Sequence, residues 1–365
     1  MNPIAAPSAL RKSALSLFAA VFVLAGSKKE EKPAPVAEAP KQATPVAQTQ
    51  QKPPEPRVHP ECASPIDLAP PQELKLGERT ATRAGYKLTF AEKDADGTLA
   101  LGVLGPINEE TPANLQALGR YVKFFKDEKV DAIVVNGDAG ETTEGITKVL
   151  AELAGSGLPT FVVIGNREGR ADYTNGVLEA QKAHPNVVNL NQVRVVEFPE
   201  ATLVSLPGYH NPEYMHSKDG CLYVKSTVEE TLKAVKEAKS PAVLISHGPP
   251  RGNGSQALDY ATSGGNIGDA EINRILTEGN VPFGIFSNVK EAGARAVDSA
   301  EGTTLVAQDK PAKRLFLNPG PADTVGWKMN DETQSVGMAA VLRVKDGEGS
   351  WKLFRSSPQM VRGTP

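Results

Sequence analysis

Ala132-Ile133-Val134-Val135-Asn136-Gly137-Asp138 is a short apolar run that ends in an amide, a glycine and an acid. An unbroken run of this kind suits a strand covered on both faces. The polar triplet then falls at the carboxyl end of the strand, where open α/β sheets place their ligands. The pattern recurs along the chain. Phe161–Ile164 runs into Gly165-Asn166-Arg167-Glu168, Ala242–Ser246 into His247-Gly248-Pro249-Pro250, and Phe283–Phe286 into Ser287-Asn288-Val289-Lys290. Taken singly, each cluster reads as an ordinary turn, an aspartate cap or a satisfied histidine. Together they read as one site built from several strand ends.

Outward from this core the periodicity alternates between strand and helix. Leu115–Phe125, Gly145–Ala154 and Val228–Ala238 carry apolar residues at helical spacing, while Val193–Phe198, Thr202–Pro207 and Arg314–Leu317 read as strands. Gly337–Val344 and Trp351–Phe354 predict an antiparallel pair at the end of the domain. Tyr86–Ala91 and Thr98–Leu104 flank Asp94-Ala95-Asp96-Gly97, which predicts a hairpin. The aspartates there lack the length and the glutamate of a calcium loop, so a turn is the better reading. Strand–helix alternation followed by a β-rich second half predicts an α/β fold of two packed mixed sheets flanked by helices.

The N-terminal region has a different character. Arg11 and Lys12 precede an apolar stretch, Ser13–Gly26, that is short for a membrane span. Residues 1–26 are therefore read as a signal peptide, with an uncleaved anchor as the alternative. Leu24-Ala25-Gly26 resembles a lipobox, but Ser27 stands where the lipid-bearing cysteine belongs. Residues 27–75 are read as a disordered linker rich in Pro, Ala, Gln and Lys. Eight prolines fall between 28 and 60, and such a composition buries too little apolar area to offset ordering entropy. The folded domain is expected over 76–357, with a tail at 358–365. A signal, a spacer and a domain suggest an exported protein, periplasmic or at the outer surface of a bacterial envelope, that meets the membrane only through its N-terminal segment.

The net charge of −3 and an aromatic content of 5% give no basis for nucleic-acid binding. The two cysteines, Cys62 and Cys221, could pair in an oxidising compartment or remain free thiols.

The ordered set of strand-end clusters resembles the metallophosphoesterase (calcineurin-like phosphoesterase) superfamily. That family carries D-x-H, G-D, G-N-H-E, a lone His and G-H-x-H after successive strands. Here the blocks are Gly105-Pro106-Ile107, Gly137-Asp138, Gly165-Asn166-Arg167-Glu168, His247, and Phe286-Ser287-Asn288-Val289-Lys290, with Leu317-Asn318-Pro319-Gly320 following. The resemblance covers roughly residues 98 to 355 and implies a four-layer αββα sandwich.

Residue by residue, the resemblance places metal ligands at Asp138, Asn166, His247 and Asn288. The family's catalytic histidine position holds Arg167, and its last histidine is Lys290. The aspartate and histidine of the first block fall on Gly105 and Ile107. One of the two metal half-sites therefore keeps its donors, although amide oxygens are weak ligands for zinc. The other half has lost them. This leaves room for one divalent ion (manganese, zinc or iron) or for none.

Lys290 is expected near the vacated position, paired with Asp138. At ~4 Å and an effective dielectric of ~20, such a pair attracts by about 4 kcal/mol before desolvation. Arg167 and Lys290 together suggest an anion pocket. Losing metal activation of water, whose pKa a metal lowers from about 15.7 to about 7, removes on the order of 12 kcal/mol of nucleophile preparation. The expected function is thus a catalytically impaired binding or scaffold domain, whose partner is an envelope protein or a phosphate-bearing ligand. An active one-metal phosphoesterase and a purely structural envelope protein are the alternatives.

Overall fold

The computed structural model describes residues 62–357. The expected signal peptide, most of the expected linker and the tail from 358 onward lie outside the described residues.

Two sheets face each other. The smaller has six strands in the order Glu348–Arg355, Met338–Lys345, Thr98–Leu104, Ala132–Asn136, Thr160–Val163, Val187–Asn189. Its last four strands are parallel, and the C-terminal hairpin joins them antiparallel. The larger sheet has ten strands. Its centre is a parallel run of Thr202–Leu206, Ala242–Ser246, Phe283–Ile285 and Leu315–Asn318.

Alternation along each strand divides the core into layers. Val134 and Val163 point into the inner core with Val243, Ile245, Phe283 and Ile285 from the other sheet. Their neighbours Ile133, Val135 and Val162 point outward onto helices α1 (Pro112–Asp127), α2 (Thr143–Ala154) and α3 (Arg170–Ala183). On the far side, Val204, Leu206 and Leu244 meet α4 (Lys225–Lys236) and α5 (Ala270–Glu278). The result is the expected helix–sheet–sheet–helix sandwich. Thr111, Thr142 and Asp269 cap α1, α2 and α5 by accepting from backbone N–H groups of the first turn. Among the described residues no helix is long and apolar enough to cross a membrane.

Three expectations need correcting. The Asp94–Gly97 turn is present, with Gly97 N–H donating to Asp94 O at 3.0 Å, but the strands it joins do not pair. Lys87–Thr89 belongs to the ten-stranded sheet, between Arg79–Ala84 and Val195–Glu197, while Thr98–Leu104 belongs to the six-stranded sheet. The turn carries the chain from one sheet to the other. Helices α3 and α5 were not foreseen. α3 presents only a thin apolar stripe, Tyr173, Val177 and Ala180, around the small residue Gly176, and α5 is short. The domain also begins before residue 76. Gln72–Leu76 is an edge strand paired with Arg79–Ala84, and Ser64 N–H donates to Asn191 O at 2.8 Å.

Candidate functional site

The carboxyl ends of the two sheets are joined at Asn136. Its side-chain amide donates to the carbonyls of Ser246 (2.9 Å) and Ile285 (3.2 Å), both in the opposite sheet. This link brings the strand-end clusters of both sheets to one edge. Just beyond it the chain enters the left-handed region at Asp138, with φ 56°, which aims the carboxylate back towards the Gly165 turn. A Cβ on Gly165 would stand 2.3 Å from Asp138 Oδ1, so only glycine permits this approach.

Asp138 is almost fully buried. Its Oδ1 accepts from the backbone N–H groups of Asn166 (3.2 Å) and Arg167 (3.1 Å) and lies 3.4 Å from His247 Nε2. Burial alone would raise this carboxyl. The charge of His247 and its hydrogen bond, the Arg167 N–H and the more distant Lys290 outweigh it and hold the pKa below the ordinary carboxylate value. Beside it, Glu168 is buried and accepts from Ala139 N–H (2.7 Å) and Gly165 N–H (2.9 Å). Burial, reinforced by the Asp138 charge, pushes Glu168 up to about 8.

His247 is fully buried. Its Nδ1 lies 2.8 Å from the Asn136 carbonyl, which can only accept, so Nδ1 carries a proton. Its Nε2 faces Asn166 Oδ1 at 3.0 Å. The Asn166 amide is oriented by its own Nδ2, which donates to Tyr214 O at 2.6 Å. Nε2 therefore meets two acceptor oxygens, Asn166 Oδ1 and Asp138 Oδ1. Three lone-pair atoms converge only around a cation, either a proton on the imidazole or a metal ion. Burial opposes the charged ring, yet the Asp138 charge and hydrogen bond and the Asn136 carbonyl raise its pKa above the usual histidine value.

These spacings suit a metal as well as a proton. Two tetrahedral ligands at ~2.1 Å from zinc stand about 3.4 Å apart. Asn288 completes this half of the site. Its Nδ2 donates to the Tyr209 hydroxyl at 2.7 Å, which leaves the amide oxygen as its donor. The donors of this half, one carboxylate, one imidazole and two amides, have the chemistry to hold one divalent ion, and Asp138, Asn166 and Asn288 line one cavity. Among the described residues no cluster of three or more His, Cys, Asp or Glu side chains could hold a metal.

The other half does not fit. A Cβ on Gly105 would stand 2.3 Å from the carbonyl oxygen of Gly320. Ile107 is fully buried in the core under the helices. The chain closes over the position through Ala322 N–H and Asp323 N–H, both donating to Pro106 O (2.8 and 3.1 Å). Protein fills the place where a first-block aspartate and histidine would project.

Lys290 is found at this edge but paired differently from expectation. Its Nζ lies 3.5 Å from Asp323 Oδ2 and 4.8 Å from the centre of the Trp327 ring. It touches Asp138 only through its long-range charge. Asp323 is buried, accepts from the Asn108 side-chain amide, and is raised by that burial against the pull of Lys290. Arg167 reaches outward to Glu141, with Nε donating at 2.8 Å. Arg167, Lys290 and His247 thus each face a carboxylate of the protein. A cavity of about 190 Å³ lies between Arg167 and Lys290, lined also by Asp138, Asn166, His216, Asn288, Glu291 and Trp327. Sequence reasoning gave no role to Asp323, Glu141, His216 or Trp327. Asp323 follows the quoted Gly320 by three residues, but nothing in its spacing marks it.

Polar clusters at the strand ends of a two-sheet sandwich are the arrangement expected of a phosphoesterase fold. The calcineurin-like phosphoesterase profile matches residues 102–286, just over half of the chain; the chain belongs to that family. It is similar in structure to TT1561 of Thermus thermophilus, at 16% identity over 71% of this chain and 99% of that one, with a TM-score of 0.47. It is also similar to GAP50, described as the anchor in the inner membrane complex of Plasmodium, at 13% identity over 72% and 85% of the two chains and a TM-score of 0.46. A dimetal phosphatase from Danio rerio aligns at 14% identity over 71% and 99%, with a TM-score of 0.44. No curated protein sequence matches the chain.

Proposed function

We propose that this chain is a calcineurin-like phosphoesterase domain that binds rather than hydrolyses, exported to the cell envelope and serving there as a binding or scaffold domain. The observation that carries this reading is the filled first metal position, with the Gly320 carbonyl against Gly105 and Ile107 in the core. Two-metal hydrolysis needs an activated hydroxide and a clamp on the transferring phosphoryl group. Half of that apparatus has no place to sit. The contacts among Asp138, His247 and Asn166 support a remaining half able to close around one cation.

The anionic ligand expected for the pocket would engage Arg167 first. Its partner Glu141 is a partly exposed carboxylate with 45% of its side-chain surface accessible, and such surface pairs exchange easily. Lys290 is less available, because Asp323 is buried beneath it. The export reading rests on the composition of residues 1–61.

One observation favours a second reading. Asp138, His247 and Asn166 converge as one-metal ligands, which would suit a slow phosphoesterase. Their role would be to hold one divalent ion, whose chemistry when bound is to polarise a phosphoryl oxygen. Hydrolysis of generic phosphomonoesters and phosphodiesters by the full chain, with manganese or zinc added, separates the two. The binding reading predicts no turnover above the metal-only control. Turnover abolished by Asp138→Ala or His247→Ala would establish the second.

A further inference from the structure

Cys62 and Cys221 form a disulfide across 159 residues of sequence. We propose that this disulfide is a redox-dependent lock on the amide side of the pocket, holding the Asn166 turn from both of its ends and Asn288 from the Cys221 end.

The Cys221 end acts through the Tyr209–Tyr223 loop. Tyr209 N–H donates to Cys221 O (2.9 Å) and Tyr223 N–H donates to Tyr209 O (3.1 Å), so the loop closes on the cysteine. Within that loop, the Tyr209 hydroxyl accepts from Asn288 and Tyr214 O accepts from Asn166. His216 N–H donates to Asn166 O at 3.0 Å. Both amide residues of the site are thus held by one loop. The Cys62 end acts through Asn191. Asn191 Nδ2 donates to Cys62 O at 2.9 Å, and Asn191 Oδ1 accepts from Ile164 N–H at 3.1 Å. Ile164 lies two residues before Asn166, so the two cysteines reach the same turn from opposite sides. A second tie, Arg170 to Asp219 with Nη2–Oδ1 at 2.7 Å, holds the loop to the start of α3. Breaking the disulfide therefore loosens this region without releasing it.

Reduction is balanced by a dithiol such as dithiothreitol. The Sγ–Sγ bond takes up two electrons and two protons to give two thiols, and the reductant closes to its own cyclic disulfide. The oxidised protein holds the pocket assembled and the dithiol form relaxes it. An oxidising compartment would then be a condition for a formed site.

Hydrogen exchange on the full chain tests this, comparing the oxidised protein, the reduced and alkylated protein, and Cys62→Ser/Cys221→Ser. Opening the lock should speed exchange by roughly tenfold or more in peptides covering 163–170 and 209–224, with less than about twofold change in 270–278 and 338–355. No change in 163–170, or an equal change everywhere, would overturn the proposal, because the bridge would then be inert at the site or merely a global staple. Asn191→Ala, with the disulfide intact, isolates the Cys62 arm. It should speed exchange in 163–167 while leaving 209–224 protected; continued protection of 163–167 would remove that arm.

Discussion

The carbonyl oxygen of Gly320 stands 2.3 Å from the position a Cβ on Gly105 would occupy. Backbone, not solvent, fills the place where the family's first aspartate would begin. Gly105→Ala should therefore destabilise the domain by about 1–3 kcal/mol through overpacking, and Gly105→Asp by more. Denaturant unfolding of the variants measures this. Wild-type stability in Gly105→Asp would mean that the Gly320 segment can move aside and that the position remains available to a ligand.

Lys290 and Asp323 form a largely enclosed ion pair, with side-chain exposures of 13% and 2%. Removing one partner of such a pair leaves the other charge buried, at a cost of about 3–5 kcal/mol. Lys290→Met alone should approach that cost. Lys290→Met combined with Asp323→Asn should recover a good part of it, because no charge is left stranded. A double-mutant cycle by chemical denaturation gives the coupling directly. Strictly additive losses would show that the two side chains do not sense each other.

The Asn136 amide donates to two carbonyls of the opposite sheet. Asn136→Ala removes one donor from each of these buried carbonyls, at about 1–3 kcal/mol each. The expected loss is roughly 2–6 kcal/mol, with a fall in thermal midpoint. A change below about 0.5 kcal/mol would show that the Asn136 amide is not what holds the two sheet edges together.

His247 and Asp138 set opposite pH limits on stability. The His247 pKa is raised above 6.5, so its contribution is fully present below 6.5 and is lost as pH rises through the higher folded-state value. The Asp138 pKa is lowered below 3.8, so its contribution is present above 3.8 and is lost as pH falls through the lower folded-state value. In metal-free protein, stability should therefore fall on the alkaline side of 6.5, and His247→Ala should flatten that limb. Imidazole NMR shifts should show the ring still protonated above pH 6.5. A neutral ring at pH 6 would contradict the proton-filled arrangement.

Much of this was legible in the sequence because burial on both faces forces continuous apolar runs. Ala132–Asn136 and Ala242–Ser246 are strands with the expected bounds. Polar residues directly after such runs had one sheet edge on which to gather, and Asp138, Asn166, His247 and Asn288 lie together there. What was missed depends on tertiary partners. Tyr86–Ala91 and Thr98–Leu104 look like a hairpin because turn chemistry is local, whereas the choice of sheet is not. For Lys290 the recognised blocks offer only Asp138 as a carboxylate beside the vacated position. Its partner Asp323 lies in a loop after Leu315–Asn318, with no periodic signal to place it. Helix α3 escaped notice because packing against α2, rather than its own apolar pattern, sustains it.

The most direct test of the account is the number of divalent ions the full chain holds. Elemental analysis after saturation with manganese or zinc and removal of free metal gives the metal-to-protein ratio. A filled first position predicts no more than one ion per chain, lost in His247→Ala. Two ions per chain, both retained after exhaustive buffer exchange, would contradict it.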